Sequence, residues 1–331
     1  MADNTSSAPD VEALKALLPP AIAAQVQSLK ISGSRAIIVA DVGNIPAKER
    51  EAVENEIQSS IGAAPGITDV LVALTADKPR RQIIAVGSGK GGVGKSTLTT
   101  NLAVALAKMG RKVGVVDGDI YGPSQPKLLG TENRKPAADD ETKKLVPLDS
   151  PFGVKVLSMG HLVAPGKALA WRGPMAGKAL GQLVDAQWGD TDLILIDLPP
   201  GTGDVQLSMM ADVKPDGALL VSTPQDLALI DAARAGQLFE QGGIPIIGLV
   251  ENMAGYACPH CGEVSDPFGQ GGVEKFAAAL EIPFWGRIPL AMVIRQSGDE
   301  GAPPAASGKE HSAPFQPIAE QLLNWLNGEA V

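Results

Sequence analysis

Nine consecutive residues, Gly89-Lys90-Gly91-Gly92-Val93-Gly94-Lys95-Ser96-Thr97, carry a chemistry that type and spacing alone make readable. Glycine lets the backbone take positive φ and approach an anion with no Cβ in the way. Gly89, Gly91, Gly92 and Gly94 are therefore expected to turn successive N–H groups onto phosphate oxygens. The partial positive charge at the start of a following helix adds to the attraction. Lys95 then reaches the β and γ oxygens of ATP, and Ser96 offers a hydroxyl to Mg2+. Lys90 places a second cation beside the same phosphates.

Carboxylates gather after other apolar runs. Asp117 and Asp119, in Asp117-Gly118-Asp119-Ile120-Tyr121-Gly122-Pro123-Ser124, either serve Mg2+ and an attacking water or cap a turn. Asp197 closes Leu193-Ile194-Leu195-Ile196, where a rigidly held carboxylate reaches Mg2+ through water. The Pro199-Pro200-Gly201-Thr202-Gly203 run after it suits a loop that senses the γ-phosphate. Thr223-Pro224-Gln225-Asp226 and Glu251-Asn252-Met253 leave two further runs, and the Asn252 amide, donor and acceptor at once, suits an adenine edge or a turn.

Both cysteines of the chain fall in Ala257-Cys258-Pro259-His260-Cys261-Gly262. A redox dithiol usually opens a helix, and Glu263-Val264-Ser265-Asp266-Pro267 is poor helix sequence. A Cys-x-x-Cys-Gly turn suits a metal knuckle for Zn2+ or an iron–sulfur cluster, whose four-ligand demand a two-fold dimer would meet. Two unconnected structural thiols are the remaining reading.

These groups need elements to hold them. Apolar runs at 83–86, 112–116, 154–157, 193–196, 218–221 and 246–250 alternate with helical patterns. Leu98, Leu102, Ala105, Leu106 and Met109 form one such pattern behind the glycine loop, closed by a left-handed cap at Gly110. Alternation of this kind predicts an α/β fold, a P-loop NTPase with a mostly parallel sheet covered by helices on both faces. Ligands then collect beyond the carboxyl ends of the strands. Residues 1–78 read as a small α+β domain, with helices at 11–18 and 47–61 and strands at 26–31, 36–42 and 68–74, and residues 79–331 as the ATPase domain. Residues 77–81 are the expected linker, and 131–147 a polar surface loop that orders on binding.

With 331 residues, 44% hydrophobic and 20% charged, the chain is expected to fold around a packed core. A net charge of −9 argues against a general nucleic-acid or anionic-membrane surface. No apolar stretch approaches a membrane span, no signal-like segment opens the chain, and two cysteines make no secreted disulfide framework, so the cytoplasm is the expected compartment.

With Lys90 in second place, the glycine loop resembles the deviant Walker A of the MinD/ParA/nitrogenase-iron-protein ATPases. That resemblance implies a nucleotide-sandwich homodimer in which Lys90 crosses to the partner's nucleotide, Asp119 orients water at the γ-phosphate, and Asn252 contacts adenine beside a wall at Arg287-Ile288-Pro289. The wider set, residues 89–97, 117–124, Trp171-Arg172-Gly173-Pro174, 197–208, 223–227 and 251–262, resembles the Mrp/ApbC-type iron–sulfur cluster carrier proteins. That family implies an ATP-hydrolysing homodimer holding a bridging cluster, [4Fe–4S], on paired Cys258 and Cys261, in exchange with scaffold and apo-client proteins. His161 stands where that family usually has an aromatic residue. The N-terminal phrase Pro65-Gly66-Ile67-Thr68-Asp69-Val70 is similar to the MIP18-like domain found on many such carriers. Pro19-Pro20 replaces that domain's acidic turn and no cysteine is present, so a structural or docking role is expected there. The rival function is a positional or partitioning ATPase. Its membrane form needs a basic amphipathic tail, and the stripe Ile318, Leu322, Trp325, Leu326 has no Lys or Arg after Lys309.

Overall fold

The structure is a computed structural model and describes residues 10–42, 45, 47–75, 81–162, 173–201, 203–308 and 310–329. The chain forms two compact units, Met1–Arg80 and Arg81–Val331.

The first unit has a three-stranded sheet in the order β1 (Val26–Ser32), β2 (Arg35–Asp41), β3 (Asp69–Thr75). β1 and β2 form an antiparallel hairpin, while β2 and β3 run parallel across the crossover helix Ala47–Gly62. Ala36, Ile38 and Ala40, alternate residues of β2, face Ile57 and Ile61, one turn apart on that helix. The short helices Val11–Lys15 and Pro20–Ala23 close the core with Leu14 and Ile22.

The second unit carries an eight-stranded sheet made from β4 (Gln82–Gly87), β5 (Val113–Asp117), β6 (Leu148–Asp149), β7 (Lys155–Ser158), β8 (Leu193–Asp197), β9 (Gly217–Ser222), β10 (Ile246–Asn252) and β13 (Phe284–Ile288). Between β10 and β13 the chain makes a small separate hairpin of β11 (Tyr256–Ala257) and β12 (Val264–Ser265). The order of the large sheet is β13-β10-β9-β4-β8-β5-β7-β6, parallel throughout except where β6 meets β7. β5, β8 and β9 are buried end to end, as apolar strands covered on both faces must be. One face packs on the helices Lys95–Lys108 and Phe315–Leu326, the other on Gly173–Val184, Asp204–Val213, Asp226–Gln241 and Gly272–Ala279. Ile318, Leu322 and Leu326 of the C-terminal stripe are buried in the first of these cores.

Two outcomes depart from the sequence expectation. Residues 131–147 are folded back on themselves by an Ala138–Leu145 bridge, a Val146 N–H to Ala137 O bond of 2.8 Å, and an Asp139 turn that takes Thr142 N at 2.8 Å and Thr142 Oγ1 at 2.7 Å. Neither edge strand is disclosed by periodicity, Phe284–Ile288 because Gly286 and Arg287 interrupt its apolar run and Leu148–Asp149 because it is two residues long. Of the expected linker only Arg81 lies within the described residues, its guanidinium donating to Thr191 O at 3.1 Å.

Candidate functional site

Parallel strands bring Lys95, Asp119, Asp197 and Asn252 to one edge. The glycine loop leaves β4 and runs into the helix Lys95–Lys108. Only two of its glycines use positive φ, Gly92 at +81° and Gly94 at +89°. Gly89 is required for another reason: a Cβ there would lie 2.1 Å from the backbone carbonyl carbon of Asp231, in the helix Asp226–Gln241. The expected turn is thus made by the second half of the loop, and its first half is pinned by a crossing helix.

Beneath the loop lies a buried cluster of charged side chains. Asp117 and Asp197 are Cα partners at the ends of β5 and β8, both fully buried. Burial and then the neighbouring Asp197 push the Asp117 carboxyl up to about 7, against the opposing pull of the Gln125 N–H, Lys95 and the Ser158 hydroxyl. Asp117 ties its own segment down, taking Asp119 N at 3.1 Å on Oδ1, and Gln125 N at 3.0 Å and Ser158 Oγ at 2.9 Å on Oδ2. Lys95 Nζ sits against Asp197 Oδ1 and 3.5 Å from Ser96 Oγ. The hard oxygen donors of Ser96 and Asp197 around one cationic point fit a hydrated Mg2+, and the Gly94–Lys95 turn fits the phosphates it accompanies.

Asp119, Asn252 and the loop line one cleft of about 350 Å3, the size of a small-molecule site, walled opposite by Pro289, Leu290, Ala291 and Ile294. Asp119 Oδ1 also caps its own turn, accepting Tyr121 N and Gly122 N at 3.1 Å each. Asn252 lines the cleft, and its Nδ2 donates to Val93 O at 2.7 Å and stands where a Cβ on Gly94 would be, so the amide also braces the glycine loop. Lys90 reaches Gln225 Oε1 at 3.4 Å on the outer rim. Trp171, Arg172 and Thr202 lie outside the described residues. His161 is buried, its Nε2 3.3 Å from Thr131 Oγ1, and burial lowers its pKa to about 4.

The cysteines crown the hairpin of β11 and β12. Cys258 N donates to Glu263 O at 2.9 Å and Gly262 N to Cys258 O at 2.8 Å, with Gly262 at φ +74° completing the turn. The N–H groups of Cys261 and His260 point at the Cys258 sulfur and lower its pKa. This is a knuckle between strands, unlike the helix start of a redox Cys-x-x-Cys. Among the described residues no group of three or more His, Cys, Asp or Glu assembles for a metal, so within one chain the knuckle offers its two thiols.

Sequence reasoning missed how β10 connects the two sites. Its last two residues grip in different directions: Asn252 holds the phosphate loop, while the buried Glu251 takes Gly271 N at 3.1 Å and Val273 N at 2.9 Å, at the return end of the cysteine loop, and Arg287 Nε at 3.0 Å. Leu290 N also bonds Gly255 O at 2.9 Å at the hairpin base. Pro289, Leu290 and Ala291 therefore wall both the nucleotide cleft and a groove of about 640 Å3 beside Cys258. Polar residues at a strand end are a visible signal, but their partners, 20 and 159 residues away, are not.

A glycine loop after the first strand of a parallel sheet, a buried lysine–aspartate pair and a carboxylate at the next strand edge define a P-loop NTPase of the MinD/ParA type. The cell division ATPase MinD of Pyrococcus furiosus shares this fold at a TM-score of 0.56 and 27% identity, covering 74% of this chain and 99% of that one. The profile of the ParA group described as NUBPL iron-transfer P-loop NTPase matches residues 80–323, and the chain belongs to that family. An ADP-bound nucleotide-binding protein of Archaeoglobus fulgidus is 40% identical at a TM-score of 0.62, covering 71% of this chain and 92% of that one. The iron–sulfur cluster carrier protein of Escherichia coli K12 is 41% identical over 309 residues, 92% of this chain and 78% of that one.

Proposed function

We propose that this chain is an ATP-dependent iron–sulfur cluster carrier, a homodimer in which two Cys258–Cys261 knuckles hold one bridging cluster, [4Fe–4S], for transfer to apo-proteins. The observation that carries the reading is the shared strand end: Asn252 and Glu251 attach the phosphate loop and the cysteine loop to neighbouring positions of β10. A change in one loop is thereby imposed on the other. Two thiols per chain and a four-ligand cargo favour pairing about a two-fold axis.

At the nucleotide, the chain contributes positioning rather than covalent chemistry. The glycine loop presents N–H groups to the phosphates, Lys95 moves from Asp197 onto the β and γ oxygens, and Asp119 orients the attacking water. Ser96 and Asp197 would hold Mg2+, which when bound would neutralise charge on the phosphates. We assign Lys90, on the rim, to a partner's nucleotide and Asn252, in the same cleft, to the adenine. We assign residues 1–78 as a separate MIP18-like domain for docking, since the chain's thiols both lie in the ATPase part, and we assign the protein to the reducing cytoplasm.

The related positional ATPases, reached through the MinD likeness, leave the knuckle without a role. The C-terminal stripe, committed to the core, also offers no membrane face. Among the described residues no helix is long and apolar enough to cross a membrane. Anaerobic reconstitution with iron and sulfide tests the proposal. The wild type gains charge-transfer absorption, and Cys258→Ala or Cys261→Ala loses it while still binding ATP. Normal iron and sulfide uptake by both variants would refute the site.

A further inference from the structure

We infer that Gln125 is a positioning residue for the Mg2+–nucleotide complex, one amide that sets the rotation of the Asp197 carboxylate from the side opposite Lys95. The inference rests on the ATP-binding part of the proposed function. Gln125 opens a short helix just past the Asp119–Ser124 loop, and its side chain is fully buried under the nucleotide cleft. Its Nε2 donates to Asp197 Oδ2 at 2.9 Å and to Ser96 O at 3.1 Å. Its Oε1 accepts from Thr100 Oγ1 at 2.7 Å, and its backbone N–H is the 3.0 Å donor to Asp117.

Chemistry fixes which way this amide points. Asp197 and the Ser96 carbonyl accept only, so the NH2 must face them, and the Thr100 hydroxyl is then the donor to the amide oxygen. The two oxygens of Asp197 consequently play different parts. Oδ2 is held by a neutral donor, and Oδ1 is turned to the Lys95 and Ser96 side, where a hydrated cation would sit. The same residue fastens the helix behind the phosphate loop, the carboxylate of β8 and the segment after β5 to a single point. Glutamate would set an acceptor against Asp197, and an apolar side chain would leave Asp197 Oδ2 and Thr100 Oγ1 without this partner.

The test is fluorescence titration of full-length protein with mant-ADP, with and without Mg2+, backed by the electron paramagnetic resonance of Mn2+ in the same complex. In Gln125→Met the factor by which Mg2+ tightens mant-ADP binding falls about tenfold, while Mg2+-free affinity stays within about threefold, as for loss of one hydrogen bond to a charged group. The Mn2+ spectrum of the variant complex also changes. Thr100→Val, which keeps the volume and removes the donor that turns the amide, moves both readouts the same way by less, and it decides the matter if Gln125→Met fails to fold. Equal losses with and without Mg2+, or an unchanged Mg2+ factor, would overturn the inference and mark Gln125 as a packing residue. A wild type that binds no mant-ADP would overturn the nucleotide reading itself.

Discussion

Lys95 and Asp197 are paired and both buried at the floor of the cleft, so removing one member exposes the cost of burying the other. Lys95→Ala is expected to weaken mant-ADP binding at least about tenfold and to destabilise the larger unit by about 3 kcal/mol. Asp197→Asn added to that variant restores part of the stability and none of the binding, because it removes the stranded charge without returning the cation. All four tryptophans, Trp171, Trp188, Trp285 and Trp325, lie beyond Arg80, so urea unfolding followed by their fluorescence reads this unit alone. Cys258 makes a second residue-scale prediction. Two N–H groups stabilise its thiolate, so its iodoacetamide labelling, read by peptide mass, rises through a midpoint below the ordinary thiol value of 9.0. A midpoint at or above that value would contradict the knuckle geometry. His161 gives a pH effect of definite sign. Its native pKa of about 4 lies below the ordinary 6.5, so between these values the unfolded chain binds the extra proton and stability falls on acidification. Replacing it by Phe removes that slope, worth up to about 3 kcal/mol across the window, from the urea data.

At the scale of elements, the glycine loop separates two kinds of glycine. Gly89→Ala must push the helix Asp226–Gln241 away and is expected to cost about 2 kcal/mol or more. Gly92→Ala meets nothing within 4 Å and pays only the left-handed conformation, about 1 kcal/mol. Equal losses in urea unfolding would show that the helix does not press on the loop. The contrast also marks the limit of the sequence. Glycine spacing and the preceding apolar run announce the loop, since both are local. Why Gly89 is glycine depends on a helix some 140 residues later, and nothing nearby in sequence reports it. Gln125 is similar: its three side-chain partners stand 25, 29 and 72 residues away, so only the folded sheet assembles its role. Asn252 was visible as a polar strand end, but its hold on the glycine loop depends on the turn at Gly94, far away in sequence.

For the whole molecule, the sheet was legible because its interior strands are continuous apolar runs, and the two missed strands are its edges, the two-residue β6 and β13, where Gly286 and Arg287 are tolerated. The knuckle was legible from Cys-x-x-Cys-Gly, yet its attachment to the nucleotide cleft through Glu251, Asn252 and the Pro289–Leu290–Ala291 wall appears only in three dimensions. The central claim is that one chain owns half of a cluster site and that pairing completes it. Native mass spectrometry after anaerobic reconstitution, with and without ATP, tests it most directly. The account predicts two chains per cluster in the wild type, lone metal-free chains for Cys258→Ala without ATP, and a shift in the loaded fraction of the wild type when ATP is added. A single chain retaining iron and sulfide, unaffected by loss of Cys258, would contradict it.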